Sequence, residues 1–155
     1  MVVEVLVAAS IITASILAAM AVAQKSMYVS SQAFHTTEAA FLLEEGAEVA
    51  RIFRDNNTWV NFTTIFNTSS TYYIPITVSS WTSSLPTIPS GNLVGIFTRT
   101  VTFANVNRNA TTEDIVSSGG VFDNGTKLVT VTVSWLEGGT TITKTLKFYI
   151  MNIFL

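Results

Sequence analysis

The chain of 155 residues contains no cysteine, a single histidine and few charged residues. Without cysteine no disulfide can stabilise a domain, and the Cys/His sites typical of structural zinc cannot form. Charged residues make up 12% of the sequence, about half the usual quarter, and the formal net charge is −2. Such a balance lacks the basic surface that nucleic-acid binding requires. These absences exclude a disulfide scaffold, a Cys/His metal centre and an electrostatic nucleic-acid site.

Side chains suited to catalysis are also sparse. His35 lies inside a helical pattern, where histidine more often packs or faces solvent than acts as a base. Ser117–Gly120 and Asp123 lie in a polar stretch that lacks the spacing of a phosphate loop or an EF-hand. Asp123 with Glu113 and Asp114 could hold calcium, but a polar turn is the stronger interpretation. We therefore predict no enzymatic activity, no catalytic residue, no metal and no cofactor.

Residues 1–24 form the most apolar segment of the chain. Between Glu4 and Lys25 lie 20 uncharged residues, close to the number that a helix needs to cross a bilayer. A carboxylate in such a helix costs about 2–3 kcal/mol at the bilayer centre and less toward its edge. Glu4 is therefore expected to have a cationic partner, and the best candidate is the chain terminus, at Met1, of another copy of the helix.

The run Val3–Ser10, with Glu4 as its acidic residue, resembles the N-terminal signature of type IV pilins and pseudopilins. The resemblance implies that a prepilin peptidase removes a basic leader, that the new N-terminus is methylated and that the apolar helices bundle in a filament core. In the family the glutamate is the fifth residue after the cut, whereas here it is the fourth of the chain. Either one residue is missing from the N-terminus of this sequence, or processing differs; with no leader present, we interpret the sequence as a mature chain. Thr13 and Ser15 lie where many bacterial pilins carry glycine and proline, so we expect hydroxyls bonded to carbonyls one turn earlier and less unwinding.

Two other interpretations of this segment remain open. A secretory signal peptide could be cleaved after Ala21–Ala23, but its n-region would be basic, and here it contains Glu4. A plain single-pass anchor fits the length, with Lys25 at the interface, yet it gives no reason for Glu4.

Helix-breaking residues are scarce up to residue 74. No proline precedes Pro75, and Gly46 is the only glycine before Gly91. We therefore predict one helix over residues 2–55, about 80 Å long at 1.5 Å per residue. Apolar residues of its second half recur mostly at spacings of three, four or seven, an amphipathic stripe. They are Met27, Phe34, Phe41, Leu42, Val49, Ile52 and Phe53.

After residue 55 the pattern becomes alternating, typical of strands. Residues 129–150 alternate around Glu137–Thr140, whose glycine pair suits a tight hairpin. A further strand is predicted over Ile96–Ala104, and another over Tyr72–Val78, which Pro75 limits to an edge or to the start of a strand. We predict an antiparallel sheet of three or four strands packed on the helical stripe, with residues 105–126 as surface loops. The expected inward residues are Phe97, Val101, Phe103, Val129, Val131, Val133, Trp135, Ile142, Leu146, Phe148 and Ile150, packed against Phe34, Phe41, Leu42, Val49, Ile52 and Phe53.

The sequence thus predicts an α+β pilin fold, with residues 1–24 as membrane or filament-core helix, 25–55 as amphipathic helix and 56–155 as β-rich head. More loosely, the whole chain resembles pilin-like proteins of poorly cultured bacterial lineages, through Glu44–Glu48, Arg54–Asn57, Ile96–Thr100 and Val131–Trp135. Five Asn-x-Ser/Thr motifs are candidate glycan acceptors, although a chain rich in Asn, Ser and Thr also produces them by chance. They begin at Asn56, Asn61, Asn67, Asn109 and Asn124.

The resemblance implies a structural subunit that polymerises through its N-terminal helix into an extracellular type IV pilus used for adhesion, motility or DNA uptake. Its partners would be identical subunits, the cytoplasmic membrane before assembly, the prepilin peptidase and the pilus assembly machinery. The alternative is a minor pilin or a pseudopilin of a type II secretion or competence machine. A third class, a monomeric anchored surface protein, would leave the position of Glu4 unexplained.

Overall fold

The computed structural model describes residues 1–74, 84–88 and 93–153. Its longest element is helix α1, Val2–Asp55, which confirms the helix predicted over residues 2–55. The chain divides into two compact units, Met1–Glu38 and Ala39–Leu155. In the second unit the end of α1 packs on an antiparallel sheet, so the predicted α+β class is confirmed.

The described part of the first unit is helix alone, and its hydroxyl groups are bonded within it. The hydroxyls of Ser10, Thr13 and Ser15 donate to carbonyl oxygens three or four residues earlier, each at 2.8 Å. The helix stays regular through these positions. The predicted back-bonding is confirmed, and its consequence is that these residues need no polar partner from outside the helix.

In its described residues the sheet of the second unit contains six strands: β1 Thr71–Tyr73, β2 Leu93–Val94, β3 Phe97–Arg108, β4 Ile115–Val116, β5 Val121–Glu137 and β6 Thr140–Met151. Four of them follow the spatial order β1-β3-β5-β6, every pair antiparallel. Two short strands, β2 and β4, pair with β3 beside this path.

The hairpin between β5 and β6 forms where the glycine pair predicts it. Glu137 pairs with Thr140, and the intervening Gly138 and Gly139 have φ of 55° and 83°. A two-residue hairpin loop with both φ values positive matches the right-handed twist of its strands, and glycine adopts these values without strain.

The core lies between one face of α1 and one face of the sheet. Of the expected inward residues, three are half-buried, namely Ile142, Leu146 and Phe148. The others are buried: Phe97, Val101, Phe103, Val129, Val131, Val133, Trp135 and Ile150. A Cβ atom added to Gly46 would lie 2.6 Å from Cγ1 of Val131, so the backbone approaches the sheet closely there. The buried residues of α1 are Ala39, Leu42, Gly46, Ala47, Val49, Ala50 and Phe53.

Two aromatic residues of the predicted stripe are not in this core. Phe34 is 67% exposed and Phe41 66% exposed, so the prediction that they pack on the sheet is wrong. Ile52 is half-buried. The physical reason is that small residues, such as Gly46 and Ala47, let the helix backbone approach the strands, whereas an aromatic ring would hold it away.

A second helix, α2, Trp59–Ile65, contradicts the predicted change to a strand pattern directly after residue 55. The Thr58 side chain caps it by accepting from the Asn61 backbone N–H at 3.3 Å. Phe62 is fully buried, and its ring lies 5.5 Å from that of Phe103. Helices this short are unstable alone, so aromatic packing, which local sequence does not reveal, decides this segment.

Residues 105–126 are more ordered and more buried than the predicted surface loops. Strand β3 continues to Arg108, β5 begins at Val121, and Val106 and Thr126 are buried. The register shifts between Asn105 and Val106, so that residues 124–126 of β5 bulge from the ladder. A bulge of this kind is a local kink that sequence alternation does not predict.

The predicted edge strand and C-terminal segment are described in part. Strand β1 lies at one end of the strand order, as expected for an edge, but residues 75–78 of the prediction lie outside the described residues. Likewise Met151 ends β6, whereas residues 154–155 of the segment predicted to pack on the head or a neighbour lie outside them.

Candidate assembly site

The helix of the first unit carries large apolar side chains that are exposed. Its most apolar 18-residue window has a mean hydropathy of 2.5, and none of that window is buried. By length and composition the helix can therefore cross a membrane. Eleven large apolar side chains before residue 24 are each between 52% and 75% exposed: Val2, Val3, Val5, Leu6, Val7, Ile11, Ile12, Ile16, Leu17, Met20 and Val22.

These side chains point in every direction around the helix axis. At 3.6 residues per turn, neighbours such as Val2 and Val3, or Ile11 and Ile12, lie about 100° apart, so the apolar surface is not confined to one stripe. A helix that is apolar all round belongs inside a protein core or a membrane. The side chains of the first unit are therefore suited to apolar surroundings.

The two predicted assembly residues, Met1 and Glu4, meet within the chain. The terminal amine lies 3.0 Å from Oε2 of Glu4, and both groups are more than four-fifths exposed. An exposed pair of this kind contributes little in water, but in apolar surroundings an unpaired carboxylate is costly. The pairing between different copies stays a prediction, with the pair inside one chain as its competitor.

The segments of the looser resemblance meet in the second unit. Nη1 of the buried Arg99 lies 2.8 Å from Oε2 of Glu45, which joins α1 to β3. Arg54 donates to the carbonyl oxygen of Met151 at 2.9 and 3.2 Å and so joins the end of α1 to β6. A buried guanidinium needs an anionic partner, and the inward position of Arg99 in the β3 alternation could have indicated it. These residues therefore connect α1 to the sheet.

Two of the three candidate calcium residues contact the guanidinium of Arg108, Asp123 through its carboxylate and Glu113 through its backbone carbonyl. Nε of Arg108 donates to Oδ2 of Asp123 at 2.6 Å, while its Nη1 donates to the carbonyl oxygen of Glu113 at 2.8 Å. Hydrogen bonding by Thr126 and by Arg108 lowers the pKa of Asp123. Within residues 1–74, 84–88 and 93–153, no three His, Cys, Asp or Glu side chains form a group that could hold a metal ion.

The five candidate glycan acceptors are all exposed but lie in different local structures. Asn56 directly follows α1, and Asn61 lies inside α2. Asn67 lies between α2 and β1, Asn109 follows β3, and Asn124 lies in the bulge of β5. The structure thus separates motifs that sequence treats as equivalent.

Comparisons with protein-family models, with curated proteins and with solved structures found no match to this chain. What remains is the architecture: a long apolar N-terminal helix whose end packs on an antiparallel sheet. This architecture is compatible with a pilin-like fold.

Proposed function

We propose that the chain is a structural subunit, without catalytic activity, that polymerises through its N-terminal helix into an extracellular type IV pilus-like filament. The observation that carries this proposal is the contrast between an apolar helix segment in which no residue is buried and a second unit with its own core. The filament would serve adhesion, motility or DNA uptake.

The helix suits two successive surroundings. Its 20 uncharged residues match a bilayer of about 30 Å before assembly. In a filament the same side chains would be covered by other copies, and burial of each large one is worth roughly 1.5–3 kcal/mol relative to water. Lipid and filament core are both apolar, so close packing, aided by small residues such as Ala8, Ala14 and Ala18, must favour the filament.

Glu4 supplies the directional interaction in this proposal. In the filament core its carboxylate would contact the terminal amine of a neighbouring subunit, so that neither charge is left unpaired in apolar surroundings. The pair at 3.0 Å inside one chain favours the alternative of a monomeric anchored protein, because there both charges are already satisfied. The two proposals differ in which copy supplies the amine.

Cross-linking of mixed isotopes distinguishes them. Cells grown in ordinary medium are shifted to ¹⁵N medium before assembly is induced, so that one membrane contains both labelled forms of the chain, and an apolar carbodiimide then joins amines to contacting carboxylates. A filament subunit gives Met1–Glu4 cross-linked peptides with mixed labels, while an anchored monomer gives only unmixed ones. Mass spectrometry reads the labels, and electron microscopy shows whether filaments are present.

A matched pair of variants completes the test. Glu4→Gln should leave membrane insertion intact and strongly reduce the number of filaments. Glu44→Gln, an exposed acid of the same helix beyond the apolar segment, should leave filament number unchanged. Normal filaments in Glu4→Gln cells would contradict the assembly role. Scarce filaments that contain this chain only as a minor component would instead indicate a minor pilin or pseudopilin.

A further inference from the structure

The Asn-x-Thr motif that begins at Asn109 occupies a closed turn directly after β3. The Asn109 backbone N–H donates to the carbonyl oxygen of Asp114, and the Glu113 N–H donates to that of Asn109, both at 2.9 Å. Arg108 adds a third bond to the Glu113 carbonyl oxygen at 2.8 Å. The turn is thus held in one conformation, and its residues from 109 to 114 are exposed.

Within this turn, hydrogen bonds orient the side-chain amide of Asn109. Its Oδ1 accepts from the backbone N–H of Thr111 at 2.8 Å and of Thr112 at 3.3 Å, which is an Asx turn. These bonds engage the amide oxygen and leave Nδ2 as the atom available for reaction. Thr111, whose hydroxyl the motif requires, is exposed like Asn109 itself.

Asn67 has a weaker version of the same geometry. Its Oδ1 accepts from the Ser69 backbone N–H at 2.9 Å, and residues 67–69 are exposed. The second bond found at Asn109 has no counterpart here among the described contacts, and the hydroxyl residue is serine. Asn67 is therefore the second candidate.

The other three motifs are held in conformations that oppose modification. Nδ2 of Asn56, the atom that would react, donates to the carbonyl oxygen of Ile52 at 2.8 Å. Asn61 lies inside α2, and the hydroxyl of Thr63 donates to the Trp59 carbonyl oxygen at 3.0 Å.

The motif at Asn124 is inaccessible to a transferase because its third residue, Thr126, is buried. Thr126 is 1% exposed, and its Oγ1 accepts from Nη2 of Arg108 at 3.2 Å. The carbonyl oxygen of Asn124 also accepts from Nε1 of Trp59 at 2.8 Å. To present this motif, the bulge of β5 would have to detach from the sheet, and core strands open rarely.

We propose that Asn109, followed by Asn67, is an N-glycan acceptor of the folded chain. The donor is an oligosaccharide linked to a lipid pyrophosphate, delivered by a membrane-bound oligosaccharyltransferase. Nδ2 of Asn109 attacks C1 of the first sugar, the C–N bond forms as the C–O bond to phosphate breaks, the lipid pyrophosphate leaves, and the amide proton passes to a base of the transferase. In cells the modification depends on the proposed function only in placing the second unit outside the cytoplasm.

The test uses the purified full-length chain in detergent, so its outcome does not depend on export or filament formation. The chain is incubated with a lipid-linked oligosaccharide and a transferase that requires only the Asn-x-Ser/Thr motif. Glycopeptide mass spectrometry measures occupancy at each of the five asparagines. We expect the highest occupancy at Asn109, a lower one at Asn67, and occupancy at Asn124 at least about tenfold below that at Asn109, because β5 must open first.

Variants in the turn provide a matched control. Thr111→Ala removes the required hydroxyl and should abolish modification of Asn109, while Thr112→Ala, one residue further in the same exposed turn, should retain it. Chain denatured in urea and digested to peptides should lose the preference for Asn109 over Asn124. Absence of modification at Asn109 in the folded chain, when an unstructured acceptor peptide is modified in the same reaction, would overturn the proposal. So would occupancy at Asn124 equal to that at Asn109.

Discussion

Helix α1 has two regions that differ in burial although the backbone is helical throughout. Before residue 39 none of its side chains is buried, whereas seven of the following residues up to Phe53 are. The first region is rich in large aliphatic side chains, and the second places alanine and glycine against the sheet. The comparison teaches that apolar content and burial within one chain are separate properties, because burial also needs a complementary surface.

The largest expected effect tests whether the two regions are independent. A chain lacking residues 1–24 should lose membrane association and filament formation completely, because it loses the exposed apolar surface. Its second unit should keep its thermal midpoint, since its core contains no residue of the deleted segment. Analytical ultracentrifugation and thermal denaturation measure these outcomes. Filaments of native diameter from this chain would contradict the proposed helix-bundle core.

The next effect compares two phenylalanines of the same helix. Phe53→Ala should destabilise the second unit by about 3–5 kcal/mol, because Phe53 is 1% exposed and its ring lies 5.2 Å from that of Phe66. Phe41→Ala should change stability by less than about 0.5 kcal/mol, as for other exposed sites. Urea denaturation of the chain lacking residues 1–24 measures both. Equal losses of unfolding free energy in the two variants would mean that Phe41 is buried in solution, as the sequence predicts.

A smaller effect concerns the close approach at Gly46. In an exposed helix, glycine to alanine stabilises by about 1 kcal/mol. Here the added Cβ would meet Cγ1 of Val131 at 2.6 Å, so Gly46→Ala should instead destabilise by about 1–3 kcal/mol. A double-mutant cycle with Val131→Ala, which removes that methyl group, should show favourable coupling. Additive effects in the cycle would show that the contact is relieved by movement of the helix.

The smallest effect is a pH dependence confined to the second unit. The pKa of Asp123 is lowered from its ordinary value of 3.8, chiefly by the Thr126 hydrogen bond and then by Arg108. A group with a lower pKa in the folded chain binds fewer protons than in the unfolded chain, so its contribution is complete above about pH 4 and is lost as the pH falls through the folded value. Asp123→Asn should flatten stability against pH in this acid range. An unchanged slope in acid titrations followed by urea denaturation would show that other carboxylates dominate.

Regular patterns made much of the fold predictable. Scarce glycine and proline predicted α1, and alternation in β3, β5 and β6 predicted the inward valines and Trp135, because pairing and burial there follow the side-chain period. The residues of the candidate assembly site, Met1 and Glu4, were evident because charge is rare in the segment. The sequence prediction did not include Arg99 among the inward residues, because a buried guanidinium is stable only beside an anionic partner. That partner, Glu45, lies far from it in the sequence.

Sequence by itself determined the long helix, its apolar first region, the main strands and the glycine hairpin, since each depends on local propensity and periodicity. Only the tertiary structure decided which face of α1 packs on the sheet, that residues 59–65 form a helix, and which Asn-x-Ser/Thr motifs are open. Those outcomes depend on contacts between residues far apart in the chain, such as Gly46 with Val131, Phe62 with Phe103 and Arg108 with Thr126. Long-range packing outweighs local preference where the local signal is weak, and for this reason Phe34 and Phe41 lie outside the core.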